Sequence, residues 1–221
     1  MTIKADGPIY AYAIVLTNGA SYNYIKGNNI QSNATASMHY SSAGIYSGNT
    51  IDEGNIIAGN TIAHGYYGIF LSGDWMASEQ NNIVEGNNIY GFYSYGIEAI
   101  NQAFLSVRYN QIHNGPYNAW MTGIYLDNIS IALTASSNRI KMQGAGGFTG
   151  MSISGSDLSD TLRGLIANNF VSVQTTHQDA TGILLSNSQH CDLVYNSVRT
   201  ASQSTYSAAF SVSNWSGYGD N

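Results

Sequence analysis

Charge is scarce in this sequence. Of 221 residues only 9% are Asp, Glu, Lys or Arg, and the seven basic residues are scattered rather than clustered. A nucleic-acid-binding surface neutralises phosphates with a basic face, so that class is excluded. Cysteine occurs once, at Cys191, which excludes an internal disulfide. Its neighbours Gln189, His190 and Asp192 suggest metal ligands, but consecutive residues on an extended segment point in alternate directions and do not share an ion. The histidines His39, His64, His113, His177 and His190 show no ligand spacing either, so neither a metal nor a cofactor is expected. With two prolines and no charged or Pro-rich linker, the chain shows no internal boundary, and one domain over residues 1–221 is expected. No apolar run approaches the roughly 18 residues of a membrane span. The opening MTIKADGPIY lacks the apolar core of a secretory signal. Disorder is excluded by the 43% of hydrophobic residues at so low a charge.

What is abundant is glycine, asparagine and short apolar alternation, and these recur. The stretch Gly123 to Ile140, GIYLDNISIALTASSNRI, holds a short strand (Gly123-Ile124-Tyr125-Leu126), a polar corner at Asp127-Asn128, a second apolar run from Ile129 to Leu133, and an Asn138-Arg139-Ile140 step. A unit of that length cannot bury its own apolar face, so copies must stack. The small residue opening each copy falls at Ala13, Gly44, Gly68, Gly96, Gly123, Gly150, Gly182 and Ala209. Each is followed by an apolar residue: Ile14, Ile45, Ile69, Ile97, Ile124, Met151, Ile183 and Phe210. The period fits one rung of a parallel β-helix with loops of variable length. A helical array would need apolar residues at i, i+3, i+4 and far fewer Gly and Asn.

A second marker, an Asn two places before an apolar residue, recurs at Asn28, Asn60, Asn87, Asn110, Asn138, Asn168 and Asn196. Asn tolerates the left-handed corner conformation, and its amide can bond the same group one rung away. A hydrogen-bonded asparagine ladder is therefore expected, with plain turn chemistry as the simpler alternative. The residue after the opener should point inward, the next outward and the next inward. The outward column then reads Val15, Tyr46, Phe70, Glu98, Tyr125, Ser152, Leu184 and Ser211, with Asp127 just beyond Tyr125.

The GI-x-L strand followed by N-x-I resembles the repeat of pectin-lyase-like proteins over nearly the whole chain. The stretch Leu165 to Val212 is similar to the long β-helix repeats of large secreted surface proteins of Bacteroidetes-type bacteria. The resemblance implies an all-β, single-stranded right-handed parallel β-helix of about seven rungs, without evident capping elements. It further implies a secreted or cell-surface setting and a role as a stalk or adhesive segment that contacts polysaccharide.

The contact candidates are Tyr46, Phe70, Glu98 and Tyr125, because exposed rings stack on sugar faces and carboxylates bond hydroxyls. Simple cross-strand pairing explains the same residues without a ligand. An alternative from another class is a carbohydrate-active enzyme, a polysaccharide lyase or a glycoside hydrolase, with Glu98 and Asp127 as weak catalytic candidates on adjacent rungs. Arg139-Ile140-Lys141 matches a motif of polygalacturonases and Ala63-His64-Gly65 resembles another. That family's adjacent catalytic aspartates are absent, Asp52-Glu53 being the only neighbouring acids, and the RxPxxR pattern of pectate lyases is missing too. No catalytic residue is carried over. The sequons at Asn33, Asn128 and Asn214 are expected by chance in such a composition. The chain stops partway through a rung at Ser213 to Asn221, which suggests a piece of a longer protein. An open solenoid end would pair with flanking sequence of its own parent chain or with another copy, so a self-assembling fibre unit is the third reading.

Overall fold

Runs of three to seven alternating residues, separated by Gly and Asn corners, give strands too short to stand alone, and here they stack in parallel. The computed structural model describes residues 1–221 except 36, 49, 50, 177 and 214–221. It is an all-β, right-handed parallel β-helix whose strands lie on three faces. On the first face, eight parallel strands stack: Ala11–Leu16, Ser42–Gly48, Tyr67–Ser72, the starts of Tyr95–Arg108 and Met121–Ser136, then Phe148–Ser154, Ala180–Ser186 and Ala208–Ser213. One strand stands here for each of the eight opening small residues, in keeping with the expected solenoid of about seven rungs. The register places Ile14, Ile45, Ile69, Ile97, Ile124, Met151, Ile183 and Phe210 in one column. Ile45, Ile69, Ile97, Ile124 and Met151 in it have no exposed surface. Burying each such side chain contributes roughly 1.5–3 kcal/mol before conformational entropy is subtracted.

The opening glycine has a steric reason. A Cβ on Gly68, Gly96 or Gly123 would sit 2.5–2.6 Å from the carbonyl oxygen of the next opener in the stack. The inward Ile of the third face crowds the same point: Ile89 Cγ2 lies 2.4 Å from that position at Gly68. Only the first and last members of the column, Ala13 and Ala209, carry a methyl.

The second face stacks Tyr24–Lys26, Ile56–Ala58, Ile83–Glu85, the ends of Tyr95–Arg108 and Met121–Ser136, Gly164–Ala167 and Cys191–Val194. The third stacks eight strands from Thr2–Lys4 and Asn29–Gln31 through Arg139–Gly144 to Ser197–Ala201. Its inward column is Ile3, Ile30, Ile62, Ile89, Ile112, Ile140, Val171 and Val198. In the two middle rungs the first corner does not interrupt the strand as the Asp127-Asn128 corner suggests. The chain bends through it while keeping its pairing, with left-handed residues at Asn101 and Phe104 in one rung and Asn128 and Ile131 in the next.

Between the second and third faces the chain turns sharply, and the turn is built twice over. One residue takes the left-handed conformation, in order Gly27, Gly59, Gly86, Tyr109, Ser137, Asn168 and Tyr195. The next residue is an asparagine pointing inward. The ladder it forms runs Asn28, Asn60, Asn87, Asn110, Asn138, Asn169 and Asn196, each Nδ2 donating to the Oδ1 of the next at 2.9–3.2 Å. From Asn60 onward each Nδ2 also donates to a second-face carbonyl, such as Val84 O for Asn110. Asn168 is not in the ladder. The two-place spacing to Phe170 misled, because Phe170 faces out at 49% exposure and the inward residue is Val171. Asn169 stands two places before Val171 and is 1% exposed.

Among the described residues no helix is long and apolar enough to cross a membrane. Residues 214–221, on which the expectation of an open C-terminal end rests, and the sequon at Asn214 lie outside the described residues. The other two sequon asparagines sit in corners, Asn33 donating to Asp6 and Gly7 carbonyls and Asn128 to Asn101 Oδ1.

Candidate functional site

The first face is where stacking turns scattered residues into columns. Register brings Val15, Tyr46, Phe70, Glu98, Tyr125, Ser152, Leu184 and Ser211 into the single outward column that the alternation predicts. The four contact candidates Tyr46, Phe70, Glu98 and Tyr125 thus occupy consecutive rungs. Tyr46 stacks on Phe70 with ring centroids 5.1 Å apart and 15° between planes.

A second outward column runs beside the first and carries the aromatics that sequence reasoning missed. It places Tyr12, Ala43, Tyr67, Tyr95 and Thr122 in register. Tyr67 stacks on Tyr95 at 5.9 Å and packs on Phe70 at 4.7 Å; Tyr95 meets Tyr125 at 5.5 Å, and Tyr12 meets Tyr46 at 4.4 Å. All six rings are half-buried, so each keeps an open edge or face. The signal was present: an aromatic directly before the opener, as in Tyr12-Ala13, Tyr67-Gly68 and Tyr95-Gly96. The pairing skips the opener, so the outward direction returns three residues apart rather than two. Round the next corner Tyr66, Tyr93 and Tyr117 continue the aromatic surface at 5.7 and 5.1 Å.

Glu98 lies at the centre of these rings. It is 7% exposed, and its Oε2 is buried without a hydrogen-bond partner. Burial, and then the charge of Asp127, push its carboxyl up to about 7. The neighbouring phenols move the same way: burial and the Glu98 charge raise Tyr67 and hold Tyr95 near about 12, so they stay neutral hydroxyls. Tyr125 is raised by burial, Asp127 and Glu98. Asp127 itself lies opposite Ile100, two places beyond Glu98 on the next rung, and is part-exposed. The two acids therefore share a face and neighbour each other diagonally.

The basic groups are elsewhere. None of the first-face segments 11–16, 42–48, 67–72, 95–100, 121–127, 148–154, 180–186 and 208–213 contains Lys or Arg. Arg139 and Lys141 stand on the third face, opposite Gln111 and His113. Arg108 is bound to Glu85 at 2.8 Å on the second face. His64 lies at the end of the third-face strand Thr61–Ala63, three rungs from Arg139, so the polygalacturonase-like triplets do not meet. At Gln189 to Asp192 the side chains diverge to different partners. His190 bonds Asp160 and the Leu158 carbonyl, each at 2.6 Å, and Asp192 bonds Arg163. Among the described residues no three His, Cys, Asp or Glu side chains are grouped to hold a metal ion.

Comparison with known proteins agrees with this architecture. Residues 12–159 match the model of a family described as "Right handed beta helix region". Matching solved structures include the periplasmic alginate epimerase AlgG (13% identity, TM-score 0.41) and a double mutant of it (13% identity, TM-score 0.44). Each match covers 83% of this chain and 44% of the other, so this chain spans under half the length of those structures. No curated protein matches the sequence.

Proposed function

The chain belongs to the right-handed β-helix family, and from that premise we propose that its first face is a non-catalytic saccharide-binding surface in a secreted or cell-surface protein. The observation that carries this reading is the pair of aromatic columns from Tyr12 to Tyr125. Where Tyr46 stacks on Phe70 and Tyr67 on Tyr95 the faces pack on each other, so these columns offer apolar ring edges to the C–H side of a sugar and neutral phenol hydroxyls to its hydroxyl groups. Tyr46 and Phe70, and Tyr67 and Tyr95, stand on adjacent rungs with centroids 5.1 and 5.9 Å apart, close to the length of one pyranose unit. Charge narrows the class. A face with two carboxyls and no Lys or Arg repels a uronate or sulfated polymer, so the ligand is a neutral or amine-bearing polysaccharide.

The state of Glu98 favours a second reading. A carboxyl that keeps its proton to about pH 7, beside another acid on the same face, is the arrangement a glycoside hydrolase uses for its acid and its partner carboxylate. Retention of the purified protein on immobilised neutral, amine-bearing and acidic polysaccharides, with new chain ends assayed in parallel, separates the two. Retention on the first two classes, reduced about tenfold or more in Tyr95→Ala and Tyr67→Ala, is expected without new chain ends, ring stacking being worth on the order of 1 kcal/mol or more per contact. New ends that disappear in Glu98→Gln would replace binding by hydrolysis. Retention confined to acidic polymers would remove the first face as the site.

A further inference from the structure

The third face reverses the charge pattern of the first. Its eight strands, from Thr2–Lys4 to Ser197–Ala201, contain no Asp or Glu and hold four of the seven basic residues: Lys4, Arg139, Lys141 and Arg199. One of these, Lys141, is paired with a histidine. His113 is the register partner of Lys141, Gln111 is that of Arg139, and Tyr90 flanks His113 on its other side. Arg139 and Lys141 stand two places apart on one strand, and so on the same side of the sheet, and no carboxylate in these strands offsets them. Neither Arg139 nor Lys141 has an ion pair among the described residues, although Arg139 lies over the Phe170 ring at 5.4 Å. His113 registers the stress. Burial, then Lys141, then Arg139 lower its pKa, so it stands unprotonated beside two cations.

Beside this group is a cavity of about 300 Å³ lined by His113, Asn114, Gly115, Pro116, Lys141 and Gln143. Its wall is tied across two rungs: Asn114 Nδ2 donates to the Gln143 carbonyl at 3.0 Å, and the Gln143 N–H donates to Asn114 Oδ1 at 2.8 Å. The lining has an ammonium, an imidazole and a side-chain amide on a fixed frame, and no acid. In a chain of net charge −6, a lysine and a histidine with no acid beside them at a hollow of this size suit an anion.

We propose that this hollow is a second binding site, for a carboxylate- or sulfate-bearing unit of an acidic glycan, held by Lys141, His113 and the Asn114 amide. It lies at the end of the third face beside Tyr117, shares no residue with the two aromatic columns, and is independent of the saccharide reading given for them. The bound anion gains charge-assisted hydrogen bonds from Lys141.

The test is affinity and histidine titration together. Calorimetric titration with a galacturonate oligomer, a sulfated oligosaccharide, a neutral cello-oligomer and inorganic sulfate alone is expected to give binding by one or both acidic oligomers that weakens as salt rises, while any binding of the cello-oligomer at the first face is insensitive to salt. Lys141→Gln should weaken it at least fivefold, with the melting temperature of the free protein unchanged within about 1 °C. The His113 ring-proton titration, assigned with His113→Asn, should move to higher pH on saturation with the acidic oligomer. Absence of binding by both acidic oligomers would overturn the proposal, as would acidic-oligomer binding that is unchanged in Lys141→Gln. Binding of inorganic sulfate as tight as that of either oligomer would overturn the assignment to a glycan.

Discussion

Glu98 is the residue whose environment and chemistry are most at odds. Its carboxyl is 7% exposed, one oxygen has no partner, and its proton is held to about pH 7 against an ordinary value of 4.5. The native state therefore binds a proton that the unfolded chain has already lost between those two values. Below pH 4.5 both states are protonated and Glu98 contributes no pH dependence. As pH rises through the window the folded state loses stability, by at most about 3 kcal/mol above pH 7. Glu98→Gln removes the ionisation. Urea denaturation should find the variant close to the parent at pH 4 and more stable by about 1–3 kcal/mol at pH 8. Equal stability at pH 8 would mean that the carboxylate is better solvated than its burial implies. Such a cost in the free protein is the kind that persists where a side chain has work to do with a ligand.

The corners, rather than the strands, decide where each element starts and which face it joins. At the sharp corner a left-handed residue and an inward Asn act as a pair, so adjacent asparagines have opposite roles at Asn168 and Asn169. Asn168→Gly keeps the left-handed turn and should leave stability within about 0.5 kcal/mol of the parent, or raise it. Asn169→Gly deprives Asn138 of its acceptor and the Ala135 carbonyl of its donor, and should cost about 3 kcal/mol or more. Thermal melts of the two variants distinguish them; equal losses would contradict the ladder.

The first corner was the part least legible from sequence. There Glu79, at 0% exposure, accepts hydrogen bonds from Asn82 Nδ2 at 3.0 Å and Gln102 Nε2 at 2.8 Å. The Ser47 hydroxyl lies 3.0 Å from both Glu79 and Asp52, and with one hydrogen it can donate to only one of them at a time. A Glu in a polar loop reads as solvated, and nothing local announces that amides from two rungs will enclose it. The opener, the inward Ile and the outward column, by contrast, each repeat at fixed offsets from one glycine. Register follows from such a repeat, since a slip by one residue would turn every Ile to water. Tyr67 and Tyr95 escaped notice for the same reason in reverse: the pairing jumps over the glycine, and strict alternation does not.

At the scale of the whole molecule, eight rungs at ~4.8 Å give a stack roughly 34 Å long with sides of different character. The first face has aromatic rings and acids, and the third has bases and no acids. Each rung touches only its neighbours, so rungs should be removable as units. Deleting residues 123–149 joins Thr122 to Gly150, and Thr122 already stands in register with Thr149. That variant is expected to fold cooperatively with its far-ultraviolet circular dichroism per residue unchanged. Deleting residues 123–136 leaves the third-face strand fused to a first-face one, and it should fail to fold. Loss of folding in the first variant would mean that the rungs are not interchangeable.

The in-register stack of opening glycines carries a consequence for how such a protein can change over time. Every rung hands on the same edge that it receives, so the distance between any two side chains on one face is a whole number of graduations. Glu98 and Ser152 are two marks apart whatever the loops between them contain. Loops lengthen and shorten at the corners without moving the marks. The molecule is therefore a ruler, and its spacing is altered by copying or losing a rung, not by adjusting one.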